Sequence, residues 1–165
     1  MAYIGLLSDT HGIFDDKLKN FFKDVDEIWH AGDFGNVEVS DKISSFKPVR
    51  GVYGNCDGQE IRRIHPYIQN FELEGMKFLM MHIGGYLGRY QYSALQLINA
   101  HRPNVFICGH SHILRVMNDK KNNIITINPG AAGIQGIHTV RTAVRFKVER
   151  GALHDLEVGE WGKKL

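Results

Sequence analysis

Val105-Phe106-Ile107-Cys108-Gly109-His110-Ser111-His112 is the stretch whose reading decides the fold. Its apolar half is short and continuous, as expected of a strand buried on both faces, and it stops at a glycine followed by two histidines one residue apart. Gly109 has no side chain to hold backbone or an ion at a distance. Once the chain leaves the strand, His110 and His112 can both turn toward its carboxyl end. Imidazole is the commonest metal-binding side chain, so the pair points to a metal site whose other ligands must come from elsewhere in the chain.

The same device recurs upstream. Residues 3–7 form an apolar run ending in Ser8-Asp9-Thr10-His11-Gly12, Glu27–His30 leads into Ala31-Gly32-Asp33-Phe34-Gly35, and residues 49–53 break at Gly54-Asn55-Cys56-Asp57-Gly58. Between these strands, residues 15–24 read as a helix capped by Asp15 or Asp16, with Leu18, Phe21, Phe22 and Val25 on one face. Val37–Phe46 reads as a second helix, ended by Pro48. Ile68–Leu73 and Met76–Met81 are a hairpin around Glu74-Gly75, the second strand ending at His82. Tyr90, Ala94, Leu97, Ile98 and His101 repeat at helical spacing until Pro103. After the His110 strand, residues 114–118 and 124–127 flank the turn Asp119-Lys120-Lys121-Asn122-Asn123, and Asn128-Pro129-Gly130 ends the second of them near the site. Residues 139–148 and 152–158 make a last antiparallel pair around Arg150-Gly151. The tail, residues 159–165, is expected to be mobile, with Trp161 available to be pinned in an interface. Strand-helix alternation early and hairpins late predict an α/β sandwich of two mixed sheets flanked by helices.

Composition narrows the function. At 165 residues one domain is expected over 1–165, long enough to bury a core. A formal charge of +2 is too small to argue for nucleic acid, and the basic pairs Arg62-Arg63, Lys120-Lys121 and Lys163-Lys164 are too short to track a phosphate backbone. With only Cys56 and Cys108 present, a disulfide framework is not expected and a reducing cytoplasm is the expected compartment. The first strand starts so early that no secretory leader is expected, and no apolar run reaches the roughly eighteen residues of a membrane span.

In open α/β sheets functional residues gather outside the carboxyl ends of the strands. The polar residues there are Asp9, His11, Asp33, Asn55, His82, His110 and His112, from five strand ends. That set of nitrogen and oxygen donors is large enough for two metal ions, and one carboxylate can bridge them. So many imidazoles disfavour magnesium or calcium and admit manganese, iron, zinc, cobalt or nickel. His30 reads instead as a buried hydrogen-bonding residue. His65, His101, His138 and His154 sit in no ligand motif, and Tyr86, Arg89 and Tyr90, close enough after His82 to contact a substrate, read first as a solvated loop.

These motifs resemble a known family. Asp9-Thr10-His11, Gly32-Asp33, Gly54-Asn55-Cys56-Asp57, His82 and Gly109-His110-Ser111-His112 occur in the order and spacing of the calcineurin-like metallophosphoesterases. The Gly-Asn-Cys-Asp form and Asn128-Pro129-Gly130 look most like its small YfcE-type phosphodiesterases. The resemblance implies that Asp9, His11 and His112 hold a first metal, that Asn55, His82 and His110 hold a second, and that Asp33 bridges. It implies that Asp57 orients its neighbours by hydrogen bonds, so that catalysis rests on Asp33, Asn55, Asp57 and His82. The implied activity is hydrolysis of a small phosphodiester at two divalent transition-metal ions, manganese first among them, by a water that both ions acidify. The same resemblance admits a phosphomonoesterase, a homo-oligomer, and a protein-binding scaffold like the retromer subunit of this fold, which has lost part of its metal set. One departure is Cys56, where many members of the wider family have a histidine thought to protonate the leaving oxygen. A thiol's ordinary pKa lies about two units above that of imidazole, which predicts a preference for good leaving groups such as aryl or cyclic diesters; the alternative is a small residue filling space behind Asn55.

Overall fold

Alternation at the two-residue period of a strand organises the molecule, because the central strands are apolar on both faces and each face is claimed by a different layer. The computed structural model describes residues 1–165. In chain order the elements are β1 (Ala2–Leu7), α1 (Asp16–Phe21), β2 (Glu27–His30), α2 (Val37–Phe46), β3 (Val49–Gly51), α3 (Gln59–Ile64), β4 (Ile68–Leu73) and β5 (Met76–Met81). They continue with β6 (Gly85–Tyr86), β7 (Arg89–Tyr90), α4 (Tyr92–His101), β8 (Val105–Ile107), β9 (Leu114–Asp119), β10 (Ile124–Pro129), β11 (Val140–Glu149) and β12 (Ala152–Gly162). One five-stranded sheet has the order β12-β11-β1-β2-β3 and the other β4-β5-β8-β10-β9. Both are mixed: β1, β2 and β3 run parallel beside antiparallel β11 and β12, and β5, β8 and β10 run parallel between antiparallel β4 and β9.

Between the sheets lie Ile4, Leu6, Trp29, Phe78, Met80, Val105, Ile107, Ile127, Val144 and Phe146, all buried. Trp29 sits at the centre, with the rings of Phe71, Phe78 and Phe146 edge-on to it at 5.0, 4.9 and 5.8 Å. The alternate residues face outward. Leu7 and Ile28 meet Leu18 and Phe22 of the α1 region and Val39 and Ile43 of α2, while Leu79, Met81, Phe106 and Cys108 meet Ala94 and Ile98 of α4. The wholly apolar run at residues 105–108 is thus explained: every side chain in it has a layer to pack against. The expected α/β sandwich of two mixed sheets flanked by helices is the observed architecture.

Several local expectations are corrected. The first helix covers Asp16–Phe21 rather than residues 15–24: Asp15 caps it by accepting the Leu18 N–H at 3.2 Å, and the Phe22 N–H closes its last turn on the Leu18 carbonyl. Helix α3 was not anticipated, since six residues are too few for a 3.6-residue period to show. The loop read at Tyr86, Arg89 and Tyr90 is the short hairpin β6-β7, tied down where the Tyr90 hydroxyl donates to Asp119 at 2.8 Å. The tail is no free segment up to Gly162, because β12 pairs residues 159–162 with Ala143 to Val140 of β11 and Trp161 packs edge-on against Phe21 at 5.4 Å. A bulge between Arg145 and Lys147 shifts the register within that pair, which breaks the alternation by which a strand is recognised in sequence. No helix is long and apolar enough to cross a membrane.

Candidate metal centre

Each predicted ligand leaves its strand through a backbone turn that the side-chain pattern does not reveal. Asp9, His11, Asp33, His110 and His112 all have positive φ, at 54°, 42°, 59°, 71° and 61°. Non-glycine residues enter this region at a cost of about 1 to 3 kcal/mol each, and a cluster of them marks a place where the surrounding structure over-determines the backbone. The loops lock one another: the Asp9 and His11 N–H groups donate to the carbonyls of Gly32 and Asp33 at 2.9 and 3.1 Å, and the Gly109 N–H donates to the His82 carbonyl at 2.9 Å. Gly109 itself has no positive φ; it is needed for space, because a β-carbon there would overlap the Ser8 hydroxyl and lie 2.8 Å from Asp9 Oδ2.

The convergence puts two ligand clusters side by side. Donor atoms of Asp9, His11 and His112 lie within 4.8 Å of one another, as do those of Asp33, His82 and His110. Asp33 Oδ2 faces both, 3.7 Å from His11 Nε2 and 3.1 Å from His82 Nε2. Asp9 Oδ1 stands 3.2 Å from His112 Nε2 and 3.8 Å from each of His11 Nε2 and His82 Nε2. Asn55 Oδ1 completes the second cluster on its solvent side, 3.1 Å from His110 Nδ1. All seven residues collected from the strand ends are therefore brought to one place. A further grouping joins Cys56 to His11 and Asp33. Burial and then the Asp33 charge push the pKa of the Cys56 thiol up.

The donor set fits divalent cations. Asp9 Oδ1 and His82 Nε2 are buried and without a hydrogen-bond partner. Such orphans carry a desolvation cost of about 1 to 3 kcal/mol each unless something binds them, and a cation in each cluster would satisfy the one that lies there. The remaining lone pairs are occupied in ways that aim these atoms inward. Asp9 Oδ2 accepts from the Ser8 hydroxyl at 2.7 Å and the His110 N–H at 3.0 Å, Asp33 Oδ1 accepts from the Cys56 N–H at 2.9 Å, and His82 Nδ1 donates to the Ala31 carbonyl at 2.7 Å. Burial pushes the Asp33 carboxyl up, but His82, the Cys56 amide and His11 outweigh it and hold it at about 2. Burial likewise lowers His82, and Asp33, Asp9 and the Ala31 carbonyl reverse that to leave it raised.

Asp57 is a clamp behind the centre. Its Oδ2 accepts the N–H groups of Asp33 and Gly54 at 2.9 and 2.8 Å and its Oδ1 that of Gly35 at 3.1 Å, so one buried carboxylate ties the Asp33 loop to the Asn55 loop. Asn128 does the same for the histidine pair, donating to the Gly109 carbonyl and the Ser111 hydroxyl, both at 3.0 Å. Ser8, through its bond to Asp9, and Arg141, which is anchored on the distant Asp15, also support the site, and neither was singled out in the sequence. His65 is removed from the clusters, stacked on Phe34 with its Nε2 2.8 Å from the Ser40 hydroxyl. His101 and His154 bond to Asn70 and beside Asp155.

His30 is fully buried, as the sequence reading had it. Its Nδ1 accepts the Gly32 N–H at 3.1 Å and its Nε2 lies 2.9 Å from the Thr10 hydroxyl. That hydroxyl donates to the Phe34 carbonyl at 3.0 Å, so it accepts from Nε2–H and His30 is neutral. Burial, then the positive charges of His65 and His82, push its pKa well below 6.5. Below that pH the unfolded chain takes up a proton that the folded one refuses, so stability falls as pH drops. For metal-free protein each such group contributes a loss approaching about 1.4 kcal/mol per pH unit below 6.5. His65, lowered by burial, adds to the loss, and the raised His82 offsets part of it. Urea titrations at pH 6.5 and 5.5 are expected to show a smaller loss for His30→Gln than for the unaltered protein; equal losses would contradict the assignment.

Comparison with known proteins agrees with this geometry. The calcineurin-like phosphoesterase superfamily domain matches residues 3–151. The chain is 30% identical over 168 residues to a probable metallophosphoesterase of Mycoplasma pneumoniae, covering 94% of this chain and 96% of that protein. It is 29% identical over 142 residues to a probable metallophosphoesterase of Methanothermobacter thermautotrophicus, covering 78% and 76%. Among solved structures, a novel archaeal phosphodiesterase superposes with a TM-score of 0.71 at 23% identity, over 94% of this chain and 99% of that one. Vps29 from Entamoeba histolytica, complexed with Zn2+, superposes with a TM-score of 0.75 at 14% identity, over 98% and 99%. At these identities the structural likeness speaks for the fold.

Proposed function

Because the chain belongs to the calcineurin-like phosphoesterase superfamily, we propose that it is a phosphodiesterase working with two divalent transition-metal ions, manganese first among the candidates. The observation that supports this reading is Asp33 Oδ2, a single carboxylate oxygen facing both His11 Nε2 and His82 Nε2. Asp9, His11 and His112 would hold one ion, Asn55, His82 and His110 the other, and Asp33 both. Two such ions, when bound, neutralise phosphate oxygens and acidify water enough to supply a nucleophile near neutral pH. The protein's own contribution is placement. Asp33 stays ionised far into acid, the Ala31 carbonyl fixes the tautomer of His82, and Asp57 holds the loops of Asp33 and Asn55 at a constant separation. Asn55, Cys56, His110 and Ser111 are exposed, so the centre is open on the side where a diester's two alcohol groups have to fit. A scaffold reading is raised by the likeness to Vps29, which is itself found complexed with Zn2+, so turnover rather than metal binding separates the two readings.

The leaving alcohol meets Cys56 rather than an imidazole. Its Sγ is 3.6 Å from Asn55 Nδ2, and burial beside Asp33 raises its pKa, which makes it a weak proton donor. The enzyme is therefore read as favouring aryl or cyclic diesters. Elemental analysis is expected to return two metal equivalents, with aryl diester hydrolysis abolished by chelation, restored by Mn2+ and faster than aryl monoester hydrolysis. A faster monoester rate would make the protein a phosphomonoesterase, and no turnover with both metals bound would leave the scaffold. Cys56→His is expected to raise alkyl over aryl diester turnover; an unchanged ratio would return Cys56 to the role of spacer.

A further inference from the structure

We propose that His138 is a positioning residue for His112, its Nδ1 lone pair accepting the His112 Nδ1–H through one bridging water. The inference rests on the reading of His112 as a metal ligand and adds a residue that the ligand motifs do not include. The two rings pack edge to face, with centroids 5.1 Å apart and planes at 90°. His112 turns its Nε2 toward Asp9 Oδ1 at 3.2 Å, so its Nδ1 is the nitrogen left to donate when Nε2 binds metal. His138 is in the complementary state. Its Nε2 lies 2.8 Å from the Gly133 carbonyl, which can only accept, so the proton is on Nε2 and Nδ1 is bare. That Nδ1 is buried and has no partner.

Both Nδ1 atoms border the space over Gly136. A β-carbon built there would overlap His112 Nδ1 and stand 3.1 Å from His138 Nδ1, and the backbone at Gly136 has a φ of 123° that side-chain-bearing residues rarely adopt. The loop is anchored at both ends of the feature. The Gly133 N–H donates to the Asp9 carbonyl at 3.1 Å, and Lys163, just beyond β12, donates from Nζ to the Gly136 carbonyl at 2.6 Å. The C-terminal strand thus reaches the metal centre through Lys163, Gly136 and His138. Metal-binding histidines nearly always give their other N–H to a fixed acceptor, which sets ring orientation, and losing that acceptor costs about 10- to 100-fold in metal affinity.

The test uses zinc as the probe and the full chain. His138→Phe keeps a ring edge on His112 without an acceptor, and His138→Asn returns an acceptor near the δ position. Titration with Zn2+ is expected to show two sites in the parent protein, one of them weakened about 10- to 100-fold in His138→Phe and recovered at least partly in His138→Asn. In 15N-detected imidazole spectra of the zinc-loaded protein, the His112 Nδ1–H is expected to be shifted downfield and protected from exchange, and to lose both properties in His138→Phe. Two zinc ions bound equally tightly by parent and His138→Phe, or an unchanged His112 Nδ1–H, would overturn the role of His138 alone. A parent protein that binds no zinc would overturn the metal reading beneath it.

Discussion

Asp33→Asn is expected to leave a folded protein that holds neither metal firmly and hydrolyses aryl diesters at least about 1000-fold more slowly, the equivalent of ~4 kcal/mol of transition-state stabilisation. The substitution nearly preserves shape, and an asparagine oxygen can still accept the Cys56 N–H that Asp33 Oδ1 accepts at 2.9 Å. What it removes is charge at the one atom that faces both ligand clusters. A neutral amide is a far poorer ligand for a divalent cation in a buried site, where little water screens the change. His82 also loses the hydrogen bond and charge of Asp33, which are among the groups that raise its pKa against burial. His112→Ala is the informative companion, because His112 lies only in the cluster with Asp9 and His11 and its loss should empty chiefly one site. Metal analysis after gel filtration, paired with the diester assay, separates the two. Equal losses of metal from both variants would remove Asp33 from the bridging position, and full metal content with lost activity would give it a purely chemical role.

Arg141→Met is expected to lower stability by about 3 kcal/mol, near the bottom of the range for a buried ion pair broken from one side. Arg141 is completely buried and uses its whole head group: Nη1 and Nη2 meet the two oxygens of Asp15 at 2.9 and 3.2 Å, and Nε donates to the Ala132 carbonyl at 2.7 Å. Methionine fills similar volume, so the loss reflects polarity: an acceptor left unpaired at Ala132 and a carboxylate without its counter-ion. Asp15 keeps about a quarter of its side chain in solvent, and that screening holds the expected value to the low end. For a domain of this size the change corresponds to a melting temperature lower by about 6 to 12 °C. The effect reaches the metal centre as well, because the loop that Arg141 holds donates from Ala132 and Gly133 to the Ser8 and Asp9 carbonyls at 2.9 and 3.1 Å. A weaker metal affinity should accompany the lower melting temperature. A shift below about 2 °C would mean that the pair contributes nothing net, as some ion pairs do.

The split between what could be read in advance and what could not follows the range of the interactions. Strands β1, β2, β5 and β8, helix α2 and the arrangement of two mixed sheets under helices were legible, because apolar runs and their periods are local records of which faces are buried. That seven polar strand-end residues would meet in one place was legible for a related reason: functional groups in such sheets collect at the carboxyl ends of the strands. The hairpin β6-β7 and the end of β12 were not, since each owes its shape to a distant partner, Asp119 or β11, rather than to its own pattern, and α3 was not because six residues are too short to show a period. The positive φ values at five ligands, the Asp57 clamp, the Arg141 anchor and the pairing of His138 with His112 left no trace in sequence either. Sequence by itself determined which groups would be delivered to the centre. Only the tertiary structure decided their orientation, because orientation is set by hydrogen bonds and packing between loops that are neighbours in space and strangers along the chain.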